Sequence, residues 1–169
     1  SSAASDVYKR QVVTSTRDEF YTMPAAERID KMAFAGFITS YLSPKFGMSH
    51  DRFKQWRQLA HYVDPQRPMG RLIGDAAVRR WTAQVAEEAP GPTWMMEFTR
   101  TEAPAVHCAE LDPLFGGSGG EEADASPAGE LNEWLRHYAT TGEPGFPGYG
   151  DDHQAVSYTH LRAHETLRY

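Results

Sequence analysis

The stretch Val12-Val13-Thr14-Ser15-Thr16-Arg17-Asp18-Glu19 decides how this chain is read, because a β-branched run passes directly into a charged segment that ends on a carboxylate. The first five residues read as the tail of a buried strand, and Arg17-Asp18-Glu19-Phe20 as the loop at its carboxyl end. A second strand signal, Thr93-Trp94-Met95-Met96-Glu97-Phe98-Thr99, follows the breaker Pro90-Gly91-Pro92. Between the two, the spacing predicts three helices. Pro24 opens one that reaches about Leu42, with Ile29, Met32, Phe37, Ile38 and Tyr41 on one side and Ser43-Pro44 as its stop. Ser49 caps a second, carrying Phe53, Trp56, Ala60 and Val63 and closed by Asp64-Pro65. The third spans roughly Gly70 to Ala89, with Leu72, Ile73, Ala77, Trp81 and Val85 as its apolar stripe. Residues 100–125 read as a long loop, after which Ser126-Pro127 opens a last helix with Leu131, Trp134, Leu135 and Tyr138 inward and Gly142 as its stop. Strand, helices, strand, loop, helix is an α/β order. Two strands do not make a stable sheet, so the sheet reads as incomplete, with its partner strands expected upstream.

Both ends read as foreign to this domain. Asp6-Val7-Tyr8-Lys9-Arg10-Gln11 can be encoded by GAT GTG TAT AAG AGA CAG, the end of a transposase-based sequencing adapter. The reverse complement of that DNA, one frame along, gives Val156-Ser157-Tyr158-Thr159-His160. One short DNA accounts for both, so residues 1–11 and 156–169 are expected to be translated adapter, not native, and residues 12–155 the natural portion.

With 40% hydrophobic and 12% aromatic residues in 169, the chain is globular rather than disordered. It carries 17 basic against 23 acidic residues; without Lys9, Arg10, Arg162, Arg168, Asp6 and Glu165 the balance is 13 against 21. Such an acidic balance argues against a nucleic-acid partner, since phosphate binding needs a basic face. No apolar run approaches the roughly 18 residues that span a membrane. A single cysteine, Cys108, excludes an internal disulfide and a Cys-rich zinc site, and no metal or cofactor is expected.

Chemistry concentrates at two positions. Glu19 lies just after the first strand and His107 in the loop after the second, 88 residues later. In α/β sheets, functional groups gather beyond the carboxyl ends of the strands, so adjacent strands would bring these side chains together. A carboxylate bonded to one imidazole nitrogen sets the tautomer and stabilises the imidazolium that forms when the other nitrogen takes a proton from a serine. Acid before base also matches the chain order serine, acid, histidine of α/β-hydrolases.

Local sequence sharpens this. Val12 through Glu19 resembles the strand and "N-x-D-E-G" segment of type-B carboxylesterases, the cholinesterase-like family. Gly74-Asp75-Ala76-Ala77-Val78-Arg79-Arg80 is similar to that family's "D-x-x-F-R" helix start, and Pro92-Thr93-Trp94-Met95-Met96-Glu97-Phe98 to one of its late strands. Val106-His107-Cys108-Ala109-Glu110-Leu111-Asp112-Pro113-Leu114-Phe115-Gly116 resembles its "H-x-x-E-L-x-x-x-F-G" signature, and Trp134-Leu135-Arg136-His137-Tyr138-Ala139-Thr140-Thr141-Gly142-Glu143-Pro144 its "W-x-x-F-A-x-T-G-x-P". Order and spacing persuade more than any one motif, and the resemblance covers nearly all of residues 12–150. It implies the C-terminal part of an α/β-hydrolase fold and a parent that hydrolyses small-molecule carboxylic esters through an acyl-enzyme, with Glu19 as triad acid and His107 as base. Glu110 and Asp75 match positions read as structural. The family usually has Gly where Phe20 and Cys108 stand. The nucleophile and oxyanion donors would lie upstream, so the chain by itself is expected to be inactive. The alternative is a non-catalytic cholinesterase-like domain used for adhesion or partner binding, distinguished by the residue at the upstream elbow.

Three decoys fall away on context. Gly116-Gly117-Ser118-Gly119-Gly120 satisfies G-x-S-x-G, but a nucleophile elbow needs a strand before it and a helix after it, whereas a loop precedes and Glu121-Glu122-Ala123-Asp124 follows. It reads as a linker. Cys108 has no electropositive surroundings to activate it and reads as a loop or buried thiol. His50 and His61, eleven apart on one helix, are too distant to share a metal and read as surface residues.

Overall fold

The computed structural model describes residues 10–63, 66–101, 103–115, 127–150, 152–159 and 162–168. Strand β1 (Gln11–Thr16) is followed by α1 (Pro24–Asp30), α2 (Ala35–Leu42), a 3₁₀ turn (Ser43–Phe46) and α3 (His50–Val63). Next comes a helical rod made of α4 (Pro68–Gly74), a π turn (Asp75–Arg79) and α5 (Arg80–Glu88). Strand β2 (Thr93–Thr99), α6 (Leu111–Phe115), α7 (Pro127–Thr141), β3 (Gln154–Thr159) and β4 (Arg162–Arg168) complete the order. The sheet runs β1-β2-β3-β4, parallel across the first three strands and antiparallel at the last.

All seven residues of β2 are buried, as a strand covered on both faces requires. Met95 points to one face, against Ala86 of α5, Tyr149 and Ala155. Met96 and Phe98 point to the other, against Ala105 and Leu131 of α7. A third cluster, Ala26, Met69 and Leu72, joins α1 to α4, with Trp56 of α3 packed on it. No helix among the described residues is long and apolar enough to cross a membrane.

Four differences from the sequence reading have physical causes. The expected helix from Pro24 to Leu42 breaks after Asp30, whose carboxylate accepts the Met69 and Gly70 backbone N–H groups at 2.7 and 3.0 Å and so caps α4. On α2 the buried residues are Ala35 and Thr39, while Phe37 and Tyr41, placed with Met32 on the apolar side of the expected helix, are exposed, as is Met32. On the rod the inward face carries Ala76, Arg79 and Ala86, leaving Ala77, Trp81 and Val85 outside. Periodicity scores an arginine as outward, but Arg79 is drawn in by ion pairs to Asp75 and Glu97. Finally, the sheet has four strands rather than two: Gln154–Thr159 and Arg162–Arg168, assigned no element from sequence, form β3 and β4, and the loop over 100–125 contains α6.

Candidate active site

The pairing of β1 with β2 brings the loops beyond their carboxyl ends side by side. Thr16 stands opposite Phe98 in the ladder, and the Arg17 N–H continues it by donating to the Phe98 carbonyl at 2.9 Å. After β2, Ala105 stands fully buried beside the loop that follows β1. There the Asp18 N–H donates to the Ala105 carbonyl at 2.9 Å and the His107 N–H to the Glu19 carbonyl at 3.1 Å.

These contacts put the two side chains together. Glu19 Oε2 lies 2.6 Å from His107 Nδ1, and Glu19 Oε1 accepts the Thr16 backbone N–H at 2.9 Å. Both carboxylate oxygens are therefore engaged, one by the strand behind and one by the ring in front. The Glu19 side chain is 7% exposed and that of His107 64%. The Phe20 ring stacks on the imidazole, with centroids 6.0 Å apart and planes 12° from parallel. Cys108, the next residue, is exposed and has φ of 64°, in the left-handed region that favours glycine. Both departures from the family pattern thus touch His107: one supplies a ring against it, the other occupies a turn for which glycine is the easier residue.

Behind Glu19 stands a network that sequence reasoning missed. The Arg17 carbonyl accepts hydrogen bonds from Arg79 Nη2 at 3.1 Å and Arg71 Nη1 at 3.4 Å. Asp75, from the π turn, accepts from Trp56 Nε1 at 2.7 Å, Arg71 Nε at 3.1 Å and Arg79 Nη1, and Glu97 of β2 accepts from Arg79 Nη2. The i, i+4 spacing of Arg71, Asp75 and Arg79 was the available signal. Asp18 is buried too, and its Oδ2 accepts the Ala105 N–H at 2.8 Å. Burial pushes its carboxyl pKa up, against the lowering effect of the Ala105 hydrogen bond and of Arg17 and Arg71.

Ser118 lies outside the described residues. His50 is exposed at the start of α3, and the side chain of His61 lies outside the description. Among the described residues, no group of three or more His, Cys, Asp or Glu could hold a metal ion.

A crystal structure of juvenile hormone esterase from Manduca sexta, with OTFP covalently attached, matches this chain with a TM-score of 0.57 and 12% identity. The match covers 93% of this chain and 37% of that one, so the chain spans little more than a third of the esterase's length. The fold is that of an α/β-hydrolase. At this identity the likeness concerns the fold alone. No protein-family model and no curated protein sequence matches the chain. The solved neighbour is itself an esterase, and β1 and β2, whose following loops hold Glu19 and His107, lie in an open sheet with three parallel strands.

Proposed function

We propose that Glu19 and His107 are the acid and base of a serine carboxylesterase whose nucleophile and oxyanion donors belong to sequence outside these 169 residues. The observation that carries this reading is the 2.6 Å contact between His107 Nδ1 and Glu19 Oε2. With Nδ1–H donating to the carboxylate, Nε2 is the basic nitrogen. A serine Oγ attacks the ester carbonyl carbon as Nε2 takes its proton. The tetrahedral oxyanion then collapses, and Nε2 returns the proton to the departing alkoxide, leaving an acyl-enzyme. Water repeats the sequence and releases the carboxylic acid. Glu19 stays ionised throughout and stabilises the imidazolium.

In this reading residues 12–155 are the C-terminal portion of the catalytic domain, and residues 1–11 and 156–169 are translated adapter. Pairing of β3 and β4 through backbone groups is compatible with that origin, because an open strand edge accepts any extended segment.

The test is the reading frame upstream of Val12 in the source DNA. It should encode a strand followed by G-x-S-x-G, roughly a hundred residues before Glu19, in the order of these hydrolases. Protein made from the extended frame should hydrolyse a small chromogenic ester, and His107→Ala should lower kcat by on the order of 10⁶-fold. The 169-residue chain itself should show no turnover above buffer. An extended frame without the serine elbow, or turnover by the short chain that His107→Ala abolishes, sinks the proposal.

A further inference from the structure

Among the described residues, three hydrogen bonds tie the acid loop to the base loop beyond the strand ends, apart from the Glu19–His107 pair itself and the stacking of Phe20 on the imidazole. Two are backbone to backbone, Asp18 N–H to Ala105 and His107 N–H to Glu19. Such contacts are open to any residue but proline. The third depends on one side chain: Asp18 Oδ2 accepts the Ala105 N–H at 2.8 Å, inside a region where Asp18 is nearly buried and Ala105 wholly so. The reciprocal pair between Asp18 and Ala105 closes a ring that fixes how far the chain at 105–107 stands from Thr16 and Glu19. Without the carboxylate, the Ala105 N–H is a buried donor lacking its partner, and the returning chain shifts toward water to satisfy it.

We infer that Asp18 is the positioning residue of this site: its carboxylate holds the Ala105 backbone so that the His107 ring meets Glu19. This rests on the proposed acid and base roles but concerns a different residue, one that touches neither the imidazole nor a reacting atom. Consecutive residues divide the task. Asp18 sets the base loop's backbone, and Glu19 sets its side chain.

Proton NMR of the 169-residue chain tests this, following the low-field resonance of His107 Nδ1–H. The Trp56 indole N–H, bonded to Asp75 at 2.7 Å, reports whether the helical region is folded. Glu19→Gln identifies the resonance by removing it. Asp18→Ala should abolish or broaden the His107 signal and speed exchange of the Ala105 amide by about tenfold or more, the change expected from deleting one buried hydrogen bond. Asp18→Asn keeps an acceptor oxygen and should restore both. If Asp18→Ala unfolds the chain, Asp18→Ser, with a shorter acceptor, takes its place and should give an intermediate loss. An unchanged His107 signal in folded Asp18→Ala or Asp18→Ser overturns the inference while leaving the Glu19–His107 pair intact. Absence of the signal in the unaltered chain would instead remove the pair, and the inference with it.

Discussion

Glu19 is 7% exposed and His107 64%, although the two side chains meet at 2.6 Å. Glu19 is nearly enclosed by its neighbours. Thr16 holds one of its oxygens, Asp18 ties its loop to Ala105, and Arg71 and Arg79 grip the carbonyl of Arg17 just before it. The base is held by its backbone and by one carboxylate oxygen, with Phe20 along the ring and Cys108 turned outward. The difference teaches a division of labour that suits the proposed roles: Glu19 is built into the fold, and the His107 ring is presented from it. Substitutions behind Glu19 should therefore cost stability, whereas those at His107 should cost chemistry alone.

The largest effect is expected at Arg79. Replacing it with Met leaves Glu97 in β2 without its cation and Asp75 in the π turn with Arg71 alone, and breaking a buried pair from one side costs about 3–5 kcal/mol. Urea unfolding reads this directly, and a loss below about 1 kcal/mol would mean that the acid side is not held as described. Next comes Glu19→Ala, which strands the Thr16 N–H in a buried position at a cost of about 1–3 kcal/mol. Glu19→Gln keeps an oxygen for Thr16 and should cost measurably less. Equal losses for Ala and Gln would show that the strand-side contact contributes nothing.

The elements of this comparison differed in how far they could be read in advance. Strand β2 was legible to the residue because Pro90-Gly91-Pro92 sets its start and seven β-compatible residues follow. That Glu19 and His107 meet was legible because loops beyond the carboxyl ends of adjacent strands converge. Asp18 was not, since nothing in Arg17-Asp18-Glu19 says which carboxylate faces the ring and which faces a backbone amide. Arg79 went unread for a different reason. Hydrophobic periodicity assumes that charge faces water, and here charge on one helix is matched by charge on a buried strand, so the stripe was placed rightly at Leu72 and Ile73 but wrongly at Ala77, Trp81 and Val85. On α2 the small residues Ala35 and Thr39 are the buried ones, and Phe37 and Tyr41 are exposed.

Cys108 offers a smaller test on the exposed side. Cys108→Gly removes the penalty of a side chain at φ of 64° and should stabilise by up to about 1 kcal/mol, offset in part by the greater freedom of glycine in the unfolded chain. Cys108→Ala keeps the penalty and should change little. A Gly variant less stable than the Ala variant would remove backbone strain from the description of the base loop.

A pH dependence follows from Asp18. Burial raises its folded pKa above the unfolded value, so the protonated form favours folding. That contribution is full below the ordinary aspartate range and is lost as pH rises through the folded value. The melting temperature of the unaltered chain relative to Asp18→Asn should therefore be highest in acid and fall as pH rises, the Asn variant having no proton to lose. The reverse slope would mean that the ionised carboxylate is the form the loop prefers, with the hydrogen bond and the nearby arginines outweighing burial.

The smallest effect on stability is expected at the residue most important to the proposed reaction. His107→Ala removes a ring that is 64% exposed, and substitutions at such surfaces usually stay within about 0.5 kcal/mol. The carboxylate left behind keeps its Thr16 contact, and removal of the ring lets solvent reach the oxygen that faced it. Denaturant midpoints of His107→Ala and the unaltered chain should therefore coincide, while Glu19→Ala falls clearly below both. A loss at His107 as large as that at Glu19 would mean that the ring is a structural plug over the acid. The asymmetry would then reflect packing, and the argument that the fold presents this imidazole to a substrate would lose its physical basis.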